Sequence, residues 1–358
     1  MTSEAAAAPT RWASVDVLRG LAVAAMLLVN NPGDWAHVWA PLRHAQWHGF
    51  TPTDFVFPLF LFIVGVSLAL GFEPALERCV PLPPLRRALR IRALRIALLG
   101  RALHAIAHVL LDTRAFRPMG VLQRIGLCVG VVGLIALHAR PRTQWAVVIA
   151  LLLGSWALFA GGVDKHANVA DRVDSLLLGR FAYQFDPASG RAHDPEGVLS
   201  TLGALVTTLL GLRAGAWLRR NQLGTLWLAG AACTALGWIG SLALPLNKAL
   251  WTPTFALFTG GLAMLVLAAS HEAIDRRGAP ALGRCFGVHA LAVYAGAWLM
   301  SCVFGAWPAA QAATRNLLET LAPLVGAEAA SFAYALLFTT VWWFVARLLD
   351  ARGWRLKL

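Results

Sequence analysis

The amino-acid sequence predicts an all-α polytopic membrane protein with about ten transmembrane helices and both termini in the cytoplasm. Three observations carry that expectation. Of the 358 residues, 58% are hydrophobic and only 14% charged, against about 25% charged in an ordinary soluble domain. Apolar runs of roughly the 20 residues that a helix needs to cross a bilayer recur near 13–31, 53–72, 89–111, 119–138, 144–161, 197–217, 224–243, 250–270, 285–304 and 329–349. A membrane β-barrel would instead show alternating strands of roughly 10 residues. Finally, the basic residues alternate between the loops. With the N-terminus inside, the inner segments hold eighteen Lys and Arg and the outer ones nine, as the positive-inside rule requires.

Taken in order, residues 1–12 form a cytoplasmic tail without the basic start and apolar core of a signal peptide. The first span is therefore expected to insert uncleaved. Residues 13–350 form one transmembrane domain, and 351–358 a second cytoplasmic tail. The larger outer loops are 31–52 and 162–196. The second is rich in Asp and Gly, and its length points to a functional or disordered segment. The inner residues Arg11, Arg86, Arg87, Arg90, Arg92, Arg95 and Lys357 count with the basic side, and Arg114 and Arg117 with the outer side. The net charge of +13 is thus a topology signal. It makes the lipid bilayer the partner and calls for no nucleic acid. The five cysteines, Cys79, Cys128, Cys233, Cys285 and Cys302, have neither a disulfide framework nor metal-ligand spacing. No internal repeat is visible, which weakens an inverted-repeat transporter reading.

Charged and polar groups inside spans mark interior faces or water-filled cavities. Asp16 and Arg19 lie at i, i+3 on the first helix, a spacing that puts them on one face. They serve as a local ion pair, an anion site, or both. Gln123 and Arg124 stand between Gly120 and Gly126, a pattern for close backbone approach and a polar interior face. Arg86, Arg87, Arg90, Arg92 and Arg95 wrap the inner end of the third span. They suit lipid headgroups or a cytosolic polyphosphate such as the nucleotide of coenzyme A. Neither nucleotide-binding glycine motif is present in a strand–helix context. Asn30 ends the first span, and Asn247 and Lys248 form a second polar cluster at an outer end.

The densest chemistry lies in His44-Ala-Gln-Trp47-His48-Gly49-Phe50-Thr51-Pro-Thr-Asp54, a polar strip that runs directly into the second span. A helix would place His44 and His48 on one face. No His-Glu-x-x-His and no third ligand accompany them, so no metal is expected. A neutral imidazole can act as general base or as acyl acceptor, with Asp54 orienting it or pairing with a cationic substrate. No Gly-x-Ser-x-Gly elbow offers a serine hydrolase instead.

Seven ordered segments resemble the heparan-α-glucosaminide N-acetyltransferase family of transmembrane acyltransferases, especially its shorter bacterial members. They are Ser14-Val-Asp16-Val-Leu-Arg19-Gly20; Val29-Asn30; His44 to Pro58; Gly120-Val-Leu-Gln123-Arg124-Ile-Gly126; Asp194-Pro-Glu196-Gly197; Pro245-Leu-Asn247-Lys248-Ala-Leu-Trp251; and Phe286-Gly287-Val-His-Ala-Leu-Ala-Val-Tyr294. The resemblance implies acetyl-CoA as donor from the cytosolic side and a glucosamine amine as acceptor on the far side. It puts the active-site histidine on His44 and its companion asparagine on Asn30, and it implies a possible homodimer. The lysosomal enzyme's large luminal domain is not expected in this chain, so a bacterial inner-membrane protein with a small amino-sugar acceptor follows. On this reading Asp54 completes the catalytic set. Trp47, Asp194, Glu196, Asn247 and Lys248 meet the acceptor, and Asp16, Arg19, Arg90, Gln123 and Arg124 the donor. Two alternatives stay open: a transporter of a sugar or lipid-linked intermediate, and an acyltransferase acting on a surface glycan.

Overall fold

The computed structural model describes residues 12–111 and 115–356. Most of the N-terminal tail, with Arg11, and Arg114 and Lys357 lie outside the described residues. The helices, in chain order, are α1 (Ala13–Asn30), α2 (Pro52–Glu77), α3 (Leu82–Leu110), α4 (Val121–His138), α5 (Pro141–Phe159), α6 (Val169–Leu177) and α7 (Ser200–Arg219). They continue with α8 (Leu223–Gly240), α9 (Pro253–Ser270), α10 (Arg284–Val288), α11 (Ala290–Ala306), α12 (Pro308–Val325) and α13 (Ala327–Ala351). A π-helical turn, His271–Arg276, extends α9. Proline opens α2, α5, α9 and α12, where its fixed φ fits and its missing N–H costs nothing.

Among the described residues nine helices are long and apolar enough to cross a membrane, and α11 with α12 adds a tenth if that bent pair is one span. The fold is therefore an all-α polytopic membrane protein. At 29 residues, α3 is about 44 Å long, well beyond the roughly 30 Å hydrocarbon core. The excess accommodates its arginine-rich first turns outside the apolar layer.

The centre of the bundle is the pairing of α2 with α7. α7 is buried along most of its length, whereas α5, α8 and α13 turn most of their apolar residues outward, as lipid-facing helices do. Close approach comes from glycine. A Cβ on Gly65 of α2 would overlap the carbonyl of Thr208, and one on Gly211 of α7 would overlap the carbonyl of Phe62. Gly211 and Gly215 form a small-xxx-small pair, which lets backbones touch where lipid provides no hydrophobic drive between helices. At the inner end, Arg219 forms a fork to both carboxylate oxygens of Glu77, fastening the same two helices.

Two ordered features lie where the apolar pattern marks no element. α12 turns 92° away from α11. Its Gln, Arg, Asn and Glu residues lower its hydropathy below that of a span, and none of its residues is buried. The long 162–196 segment folds into α6 and a hairpin of β1 (Gln184–Asp186) and β2 (Arg191–His193), antiparallel with Phe185 opposite Ala192. Asn168 caps α6 by accepting from the N–H of Asp171 at 2.9 Å. Asp186 closes the hairpin turn by accepting from the N–H of Ala188 at 3.0 Å.

Gly211→Leu is expected to lower stability by about 1–3 kcal/mol or more through overpacking of α2 against α7, read as a lower melting temperature in detergent. Gly154→Leu on α5, where a Cβ meets nothing within 4 Å, is expected to leave it unchanged.

Candidate active site

The loop between α1 and α2 contains only a short 3-10 turn at Ala40–Leu42, so His44 and His48 do not share a helical face. What shapes the loop is Asp54, in the first turn of α2 and 1% exposed. Its Oδ2 accepts from the N–H of Ala45 at 3.0 Å, the N–H of Thr51 at 3.1 Å and the hydroxyl of Thr51 at 3.0 Å. The Thr51 N–H contact is the return arm of a capping box. Oδ1 faces His44, whose Nδ1 lies 2.8 Å away. A carboxylate only accepts, so Nδ1 is the donor, and in the neutral ring Nε2 keeps the lone pair. The ring itself is half exposed.

A third group comes from the turn between α8 and α9. Lys248 Nζ lies 3.0 Å from His44 Nδ1, 3.4 Å from Nε2 and 3.5 Å from Asp54 Oδ1. The N–H of Gly49 donates to the carbonyl of Leu246 at 2.8 Å, joining this turn to the histidine loop. Burial pushes the Lys248 ammonium below the usual lysine range, opposed by the charges of Asp54 and Glu196.

These side chains open onto a cavity of about 670 Å³ at the end of the bundle that carries Asn30, the outer end by the charge distribution. Its polar wall includes Asn30, His44, Trp47, Asp54, Glu196 and Lys248, and its apolar wall Met26, Leu27, Ala297 and Trp298. Asn30 is exposed there, while its neighbour Asn31 is engaged, donating to the carbonyl of Leu27 and accepting from Ser301. The size falls within the range of small-molecule sites.

The folded outer segment covers one side of the cavity. Trp47 donates from Nε1 to the carbonyl of Val163 at 2.8 Å and meets the His193 ring edge-on at 5.2 Å. His193 is held in turn by Asp171, at 2.6 Å. Arg117 was counted above only as outer charge, yet it is the hub of this region. Its Nη2 donates to Asp194 at 2.7 Å and to Glu196 at 2.9 Å, and its guanidinium lies over Tyr183. Burial opposes the charge on Arg117, but the two carboxylates outweigh it and hold the guanidinium above its ordinary value. Burial likewise opposes the charge on Glu196, which Arg117 and Arg124 nonetheless keep below the usual carboxylate range. Asp194 is pushed up by burial, with Arg117 working against it. Asp194 and Glu196 are thus engaged with an arginine, and only Glu196 lines the cavity.

The other candidates fall elsewhere. Asn247 is buried and accepts from the N–H of Leu250 at 2.8 Å, shaping the Lys248 turn; its Nδ2 lies 3.4 Å from His48. Arg124 is fully buried behind the site, donating to Ser200 and to the carbonyl of Gly197 and lying over Trp251. Gln123 is buried beside Gly100 and Gly120. Arg19 pairs with Asp16 at 3.1 Å and donates to Ser67 and the carbonyl of Gly287; neither residue lines the cavity. Arg90, with Arg86 and Arg87, borders a separate hollow of about 370 Å³. Along α3, Arg90 is on the order of 30 Å from Leu111 at the cavity. Among the described residues no group of three His, Cys, Asp or Glu could hold a metal ion.

A helical bundle crossing the membrane, with a carboxylate-held histidine at the mouth of a covered cavity, defines a polytopic membrane protein with a candidate acid–base site at one end. Residues 11–187 match the family model described as heparan-alpha-glucosaminide N-acetyltransferase, catalytic. Over 76% of its length the chain is 29% identical to heparan-alpha-glucosaminide N-acetyltransferase of Homo sapiens, covering 50% of that protein. Against the protein of the same name from Mus musculus the identity is 26%, over 75% of this chain and 50% of the relative. The chain spans about half the length of these curated relatives. The chain is thus similar to this family in its N-terminal part and, more distantly, along most of its length. The matched segment contains Asn30, His44 and Asp54, whereas Asp194, Glu196 and Lys248 lie beyond it.

Asp174 supplies a pH test of the cover. It is 1% exposed and accepts the N–H groups of Asp194 and Val198 at 3.1 and 3.3 Å. Burial pushes its carboxyl up to about 6, against those two donors. A raised carboxyl binds its proton more tightly in the folded state, so its contribution falls as pH rises from about 4 to about 6 and then levels off. Protection of the 194–198 amides from hydrogen exchange, corrected for intrinsic rates, is expected to weaken across that window. Asp174→Asn is expected to flatten the dependence.

Proposed function

We propose that the chain is a membrane N-acetyltransferase that moves the acetyl group of acetyl-CoA to the amine of glucosamine or a related amino sugar. In this reading it works in a bacterial inner membrane, with the donor from the cytosol and the acceptor at the periplasmic end. The observation that carries the proposal is the His44–Asp54 pair, in which Nδ1 is held at 2.8 Å and the ring stands at the cavity, where Nε2 of the neutral form is available as a base. The match to the family model and the similarity to the human and mouse N-acetyltransferases support the reaction class.

The residues divide the work by their chemistry. His44 Nε2 takes the proton of the attacking amine as general base, or accepts the acetyl group itself before passing it on. Asp54 keeps the ring in one tautomer and balances the charge that it gains. The Asn30 amide and the Lys248 ammonium are donors for the oxygen that becomes negative as the thioester carbonyl is attacked. Trp47 and Glu196 offer an aromatic face and a carboxylate to a hydroxylated, cationic sugar. At about 30 Å, Arg90 serves the phosphate end of the donor and no other part.

With purified protein, acetyl-CoA and glucosamine, mass spectrometry is expected to detect N-acetylglucosamine. His44→Ala is expected to reduce its formation by at least about 10²–10⁴-fold while donor binding, read by calorimetry, survives. Asp54→Asn is expected to fall at least about tenfold, because the amide disturbs both the tautomer and the loop cap. Undiminished turnover by His44→Ala would overturn the assignment. Glucosamine uptake into proteoliposomes without CoA would replace it by transport.

A further inference from the structure

The group nearest the candidate base is itself a primary amine. Lys248 Nζ stands 3.4 Å from His44 Nε2, in the same cavity wall, and the reaction proposed above is acylation of a primary amine. The chain contains three lysines, Lys165, Lys248 and Lys357. Of these Lys165 also lines the cavity, but it is an exposed loop residue. Lys248 is held in place from two sides, by the Gly49–Leu246 backbone bond under its turn and by Asp54 at 3.5 Å.

We propose that Lys248 is an internal acceptor: when a thioester donor is bound and no amino sugar is present, its amine takes the acetyl group and the site switches itself off. This rests on the N-acetyltransferase reading. The step balances without any further reagent. Neutral Nζ attacks the thioester carbonyl carbon, an N–C bond forms and the C–S bond breaks. The amine proton passes to His44 Nε2 and from there to the departing thiolate, which leaves as the free thiol of CoA. The product is a neutral amide.

Geometry and environment point the same way. A lysine amine reacts only when unprotonated, and burial biases Lys248 toward that form. Acetylation removes the cation 3.5 Å from Asp54 and puts an acetamide where the acceptor's amine would react. It therefore costs the site both a donor and a subsite. An arriving amino sugar competes for the same donor carbonyl, so a supply of acceptor protects the enzyme.

The test uses the whole protein in lipid nanodiscs with acetyl-CoA alone, followed by intact and peptide mass spectrometry. The expected result is one added acetyl group on Lys248, with Lys165 serving as the internal measure of non-directed acetylation. Excess glucosamine is expected to suppress the modification, and His44→Ala to slow it by at least about tenfold. Loss of turnover is expected to track occupancy of the modification. Lys248→Arg is expected to remain unacetylated at that position and to lose the time-dependent inactivation seen with donor alone. N-acetylglucosamine formation with Lys248 unmodified would overturn the proposal and leave the transferase reading intact. Equal labelling of Lys165 and Lys248, indifferent to His44→Ala, would also overturn it. Neither product nor modification would overturn the transferase reading, and this proposal with it.

Discussion

One carboxylate sets the geometry on which the candidate site depends. Asp54 is nearly inaccessible to solvent, and burying such a group is tolerable only if its lone pairs are used. They are used in two directions. Oδ2 gathers the N–H groups of Ala45 and Thr51, so the approach to α2 is folded around it. Oδ1 takes His44. The group that starts a transmembrane helix is also the group that selects the tautomer of the candidate base. Local folding and chemistry are therefore coupled at one side chain, and disturbing the helix start disturbs the imidazole.

That side chain stands on a closely packed part of the molecule. α2 meets α7 at backbone contact through Gly65 and Gly211, and the Arg219–Glu77 fork fastens the pair at the other end. Lys248 sits on a turn, and the cover over the cavity is held by Trp47, His193 and the Arg117 cluster. The candidate base is thus fixed from the membrane side, while the cover is tied by these polar contacts and by a small apolar cluster that includes Val163, Leu244 and Leu250, with Trp47 packed against it.

How far the sequence could be read follows from the range of the interactions. Spans show themselves because twenty apolar residues in a row are a local property. α12 does not, because its polar residues dilute the hydropathy although its helix forms. The hairpin of 184–193 hides in a polar segment whose turn is too short to stand out. His44 and Asp54 are ten residues apart and meet at a helix start, so their pairing is open to a reader of the chain. Lys248 is separated from His44 by 204 positions, and Arg117 from Asp194 by 77. No periodicity links residues at such distances, and both contacts emerge only when α4, α7 and α9 are packed. Arg117 therefore reads as loop charge, and Asp194 as a free carboxylate, until the fold neutralises one with the other.

The shape of the cavity bears on how two substrates of opposite origin would meet. Met26 and Leu27 lie about one turn below Asn30 on α1, and Tyr294 about 10 Å below Ser301 on α11. All of them line the same cavity. The apolar limb thus descends from the polar mouth into the bundle between α1 and α11, away from the closely packed α2–α7 contact. A thin, uncharged arm suits such a limb, and a nucleotide does not. The arginines near Arg90 remain on the order of 20 Å further along the membrane normal. In the proposed reaction, the charged end of the donor and the charged acceptor are held apart by apolar wall, and only the thioester comes within reach of His44. This confines general-base chemistry to the one place where Asp54 has fixed the ring, and it places Lys248 as the amine that the donor meets there when no sugar has arrived.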